Sequence, residues 1–64
     1  MNVNAEIVVM SHLSDAQELM NNAGNREANM RINFARFVIL QCNGNLNQEI
    51  DPDAMFEKYQ KKFK

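Results

Sequence analysis

Apolar residues recur along this chain at helical spacing. Ala5, Val9, Leu13, Ala16, Met20 and Ala23 follow one another at intervals of 4, 4, 3, 4 and 3 residues, the stripe of an amphipathic helix. Val8 and Leu19 flank that stripe, while Glu6, Ser11, Ser14, Asp15, Glu18 and Asn22 fall outside it. Asn4 is placed to cap the helix start, with Glu6 favourable in the first turn. A competing reading makes Ile7-Val8-Val9-Met10 a short strand and starts the helix at Ser11, or at Ser14 with Gln17 completing a capping box. The run does not alternate, and no second strand offers itself as a partner. One helix from about Val3 to Ala23 is the expectation, ended by Gly24 in a left-handed cap.

The second periodic segment, Asn25 to about Cys42, is apolar around most of its circumference. Met30, Phe34, Phe37, Val38, Cys42, Ala35, Ala28, Ile39 and Ile32 form one arc of roughly 220°, where a surface helix shows about 100° or more. Asn29, Asn33, Arg36 and Arg26 make a narrow polar stripe that Leu40 interrupts. A helix of this kind needs cover on two or three sides. With few elements available in the chain, the arc points toward a partner.

The third helix has the clearest start. Asp51 stands as N-cap, Pro52 at the first helical position and Asp53 in the first turn, with Ile50 and Met55 at staple spacing across the cap. Met55, Phe56, Tyr59 and Phe63 form its apolar face. Lys58, Lys61, Lys62 and Lys64 crowd the end that the helix dipole favours for cations. Gly44 closes the second helix, Leu46 is placed to fold back on its last turn, and a polar connector of about eight residues lets the third helix cross the first pair. The expected fold class is all-α: a single small helical domain over residues 1–64, either a three-helix bundle or an αα-hairpin with a third crossing helix.

Size sharpens the question of partners. A chain of 64 residues lies near the lower end of what folds alone. Cys42 is the only cysteine, so no disulfide staples it, and a lone thiol on an apolar face fits a reducing compartment. No secretory pattern opens the chain, and no apolar run approaches the ~18 residues of a membrane span. These features predict a soluble cytoplasmic protein with no membrane association. The net charge of −1 supplies no general attraction to nucleic acid or anionic lipid. Asparagine is abundant, a bias common in AT-rich genomes such as those of gut bacteria and their phages.

Candidate chemistry is sparse. Asn43, Asn45, Asn47, Glu49, Asp51 and Asp53 place oxygen-bearing side chains at alternate positions, which invites a calcium-loop reading. Counted from Asn43, the sixth and twelfth positions hold Gln48 and Ala54 where an EF-hand needs glycine and glutamate. A connector whose asparagines satisfy turn backbone groups is the preferred reading, and no metal is assigned. His12 lies within the first apolar stripe without a second histidine to complete a metal site, so it reads as a core or interface histidine. His12 and Cys42 lack an orienting third group, and no catalytic residue, cofactor or small-molecule substrate is implied. Arg31 falls inside the apolar arc. It either snorkels beside Glu27 or makes a buried ion pair with Asp15 or Glu18.

The function expected on these grounds is protein–protein interaction without enzymatic activity, by self-association into a dimer or by contact with another protein. The expected surface is Met30, Arg31, Phe34, Phe37 and Val38 of the central helix. The alternative is a small DNA-binding or regulatory protein of a phage or mobile element, reading bases through Asn29, Asn33 and Arg36. The want of surrounding positive charge counts against nucleic acid.

Overall fold

Three helices carry the chain: α1 (Ala5–Asn21), α2 (Asn25–Gln41) and α3 (Pro52–Lys62). They are seen in a computed structural model that describes residues 2–62, so Phe63 and Lys64 of the expected third helix lie outside the described residues. The expected all-α fold class holds. Ile7–Met10 is helical, which removes the strand alternative. Among the described residues no helix is long and apolar enough to cross a membrane.

The α1–α2 hairpin packs through small residues. Ala5, Ala16, Ala28 and Ala35 are each 2% exposed or less, and Val9 joins them. Phe34, Phe37, Val38 and Cys42 continue the core on the side where α3 brings Met55, Phe56 and Tyr59. Most of the wide apolar arc of α2 is therefore covered by this chain itself: α1 lies on its alanine side and α3 on its phenylalanine side, while Met30 stays 46% exposed. Four of the rings interlock edge to face, with Phe34 5.3 Å from Phe56 and 5.6 Å from Tyr59, and Phe37 5.5 Å from Tyr59.

The buried face of α1 differs from the expected stripe. Leu13 and Met20 are exposed, whereas Val8 is buried and His12 and Leu19 are half-buried. The face is turned toward Val8 and Leu19, the side on which His12 meets Phe34 edge-on and the cleft with α3 lies, and the Leu13 side is left open.

Both interhelix connections end their helix with the same device. Gly24 N–H donates to Leu19 O at 2.6 Å and Ala23 N–H to Met20 O at 3.2 Å; Gly44 and Asn43 repeat the pattern on Ile39 and Leu40 at 3.0 and 3.1 Å. These pairs satisfy helix-end carbonyls as a Schellman motif does. The left-handed residue is not the expected Gly24, whose φ is −86°, but Ala23 at +63°. Gly24 is favoured for a different reason, since a Cβ there would stand in a tight contact 3.1 Å from Leu19 O. Gly24 also occupies the N-cap of α2, with Asn25 already helical. Ala23 is exposed and strained, so Ala23→Gly should relieve the conformation while adding chain entropy to the unfolded state. A net gain of about 0.5–1 kcal/mol is expected, read from the urea midpoint; an unchanged or lower midpoint would refute the assignment of strain.

The connector is an ordered part of the fold. Its carbonyls cap α1, with Ala5 N–H donating to Gln48 O at 2.8 Å and Glu6 N–H to Leu46 O at 3.0 Å. Asn4 Oδ1 accepts from Glu6 N–H at 2.9 Å, as its position implied. Asn45 Oδ1 accepts from Asn47 N–H at 3.2 Å, the local role expected of connector asparagines. Two short strands that the sequence reading lacked, β1 (Val3–Asn4) and β2 (Glu49–Ile50), pair antiparallel with Val3 opposite Ile50. Asp51 then caps α3, its Oδ1 accepting from Asp53 N–H at 3.1 Å.

Candidate functional site

The residues expected to form a contact surface divide sharply. Phe34, Phe37 and Val38 are at most 3% exposed and belong to the chain's own core. Met30 is 46% exposed, and Arg31 is half-buried. A surface centred on the three buried residues would require the helices to part, so accessible contacts must be sought elsewhere.

The largest exposed apolar side chains stand mainly on α1. Ile7 is 61% exposed, Met10 62%, Leu13 43% and Met20 55%. Stepped at ~100° per residue, all four fall within one half of the helix circumference, opposite or beside the buried face. Met10, Leu13, Gln17 and Met20 follow the spacing i, i+3, i+7, i+10, so they form a single ridge. Ile32 of α2, half-buried, falls on the same side of the hairpin by its own helical phase. The spacing that put Leu13 and Met20 on a stripe was a true signal, but the stripe lies at the edge of the core.

On the other side of the hairpin, His12, Arg31 and Asp15 converge. Arg31 Nη1 donates to His12 Nδ1 at 3.4 Å and lies 3.5 Å from Asp15 Oδ2. The Arg31 partner is thus the α1 carboxylate rather than Glu27. The pair is not buried, because its side chains retain 39% and 50% of their exposure. Such a pair is worth at most about 1 kcal/mol. His12 also meets the Phe34 ring edge-on at 4.8 Å. Partial burial, with the Arg31 charge adding to it, holds the imidazole below its usual pKa of 6.5 against the opposing pull of Asp15. The ring is neutral at pH 7, and its Nδ1 can accept a hydrogen bond from Arg31.

Next to this group a cleft of about 400 Å³ opens between the hairpin and the first turn of α3. Met30, Phe34, Phe56 and Pro52 supply its apolar wall. His12, Arg31, Glu27 and Asp53 supply polar groups. The sequence reading missed Pro52, Asp53 and Phe56 as cleft residues. Their signal was the strong Asp51-Pro52 helix start, which fixes where α3 begins but not what it faces.

Other expected groups are apart. Cys42 is buried at the end of α2, eight residues beyond the Phe34 that His12 touches, or about 12 Å along the helix, so the two do not form a reactive pair. Among the described residues no three His, Cys, Asp or Glu side chains are grouped to hold a metal. Asn33 and Arg36 are exposed and share a shallow groove with Leu40, Tyr59 and Lys62. Compared with known proteins, the chain matches no family model, no curated protein and no solved structure.

Proposed function

We propose that this chain is a small cytoplasmic interaction module that self-associates through the outer ridge of α1. The observation that carries this reading is the ridge itself: Met10, Leu13 and Met20, each more than 40% exposed, in line on one helix. Proteins rarely leave such side chains contiguous without a use for them. The contact face thus moves from α2, whose phenylalanines serve the core, to α1.

A second copy is the favoured partner because the middle of the ridge is uncharged. A two-fold contact sets identical patches against each other, so like charges near the axis would repel. Leu13 and Gln17 occupy that centre, and Met10 would face Met20 of the other copy. Glu6 lies beyond one end, so an antiparallel arrangement keeps the two carboxylates apart. The ridge is small. With Ile7 and Ile32 at its margins it falls at the low end of specific interfaces, below roughly 1,200 Å² in total, which implies a weak, concentration-dependent dimer.

Sedimentation equilibrium over a wide concentration range tests this reading. A monomer–dimer equilibrium is expected, weakened at least ~10-fold by Met10→Lys together with Met20→Lys, since each loses apolar contact and gains a charge near the axis. Circular dichroism should show the variant folded, both positions being exposed. A monomer at every concentration, or a dimer indifferent to the two lysines, would overturn the proposal.

A further inference from the structure

The cleft lies on the opposite edge of the hairpin from the α1 ridge and has no part in the proposed dimer. At about 400 Å³ it falls within the ~300–1,000 Å³ span of small-molecule sites. Its wall is aromatic. Phe34 and Phe56 stand edge to face at 5.3 Å, and Met30 adds a flexible thioether. Neutral apolar ligands would find contact area there, and the charges around it determine what else is welcome.

Those charges are unequal. The Arg31 guanidinium is turned to groups of this chain, with Asp15 Oδ2 at 3.5 Å and His12 Nδ1 at 3.4 Å. Asp15 offsets its charge. Glu27 and Asp53 also line the cleft, and neither carboxylate makes an ion pair or a side-chain hydrogen bond within the described residues. They come from the first turns of α2 and α3, where each helix end carries roughly half a positive charge, so the two carboxylates outweigh the helix ends they stand on. With Asp15 included, the side-chain charges around the cleft are one guanidinium against three carboxylates, and the two helix ends offset about one of these.

We propose that the cleft binds an organic cation with an apolar body, a protonated alkyl- or arylalkylamine. The body lies along Met30 and Phe56, with the buried Phe34 ring as the floor. The ammonium group reaches Glu27 and Asp53. An anion of the same shape is disfavoured, because it would meet two carboxylates at the opening and a guanidinium whose charge Asp15 already offsets.

The probe is 2-phenylethylamine, protonated at pH 7, set against phenylacetate and 2-phenylethanol as anionic and neutral counterparts. NMR titration of the uniformly ¹⁵N-labelled protein with ¹³C-methyl methionine reads the site directly. Saturable shifts at the Met30 methyl and at the Phe34, Asp53 and Phe56 amides are expected with the amine. Binding of the other two should be at least ~10-fold weaker, and Glu27→Gln with Asp53→Asn should weaken the amine by a similar factor. Both positions are exposed, and an unchanged amide spectrum elsewhere would show the double variant folded. The inference is overturned if phenylacetate binds as well as the amine, if charge makes no difference, if the double variant binds equally, or if no saturable shift occurs at millimolar amine. None of these outcomes bears on the oligomeric state.

Discussion

Phe34→Ala is expected to remove a large share of this protein's stability. Phe34 is 1% exposed and sits where the three helices meet, touching His12 of α1 and both Phe56 and Tyr59 of α3. Truncation to alanine removes the ring's transfer energy and leaves a cavity that helices on two sides cannot close together, for a cost of about 3–5 kcal/mol. A domain of this length has roughly 3–10 kcal/mol in all. The urea midpoint, followed by far-ultraviolet circular dichroism, should therefore fall sharply. Met30→Ala, four residues earlier on the same helix but 46% exposed, should change the midpoint little. Equal effects at the two positions would contradict the division of α2 into core and surface residues.

The contrast between those positions shows what the sequence could disclose. Local chemistry was legible. Asp51, Pro52 and Asp53 write a helix start in consecutive residues, and α3 begins at Pro52 with Asp51 as its cap. The cap at Asn4 was equally readable, because the acceptor and the amide it serves lie two residues apart. The end of the first helix was readable only as a turn: its left-handed position fell one residue before the glycine, since Gly24 answers a close approach to Leu19 rather than a positive φ.

The phase of α1 was not legible, and the reason is physical. Ala5, Val9, Leu13, Ala16 and Met20 keep helical spacing, but so do Ala5, Val8, His12, Ala16 and Leu19. The two stripes differ by a modest rotation about the helix axis. Which one is buried depends on how the rest of the chain is laid against the hairpin. That is decided by the connector, through the Gln48 and Leu46 carbonyls on the α1 amides and the pairing of Val3 with Ile50. Strands of two residues carry no alternation to detect. The same dependence hid the candidate sites. The outer ridge of α1 is what the buried stripe leaves behind, and the cleft joins residues from three helices that have no shared spacing. Arg31 was visible as an anomaly on its helix, yet its partner became clear only when α1 was set beside α2.

The second large effect concerns the seam rather than the aromatic cluster. Ala35 is 1% exposed, and with Ala5, Ala16 and Ala28 it makes a line of small side chains through which α1 and α2 meet. A pair of helices can approach closely only where such residues leave room for the opposing ridge. Ala35→Leu inserts three further carbons into that contact. They must either push the helices apart, loosening Val9 and Val38 as well, or adopt an unfavourable rotamer, and the expected cost is about 1–3 kcal/mol or somewhat more. Leucine is at least as hydrophobic as alanine and nearly as good a helix former, so neither burial nor propensity accounts for such a loss. Ala54→Leu on the exposed side of α3 provides the comparison, since it makes the same chemical change with space around it and should shift stability by no more than about 0.5 kcal/mol. Urea denaturation of both variants separates the explanations. A large loss at Ala35 alone locates the fold's tightest constraint at the hairpin seam; similar small losses at both would mean that the seam has slack and that the aromatic cluster alone holds α2 in place.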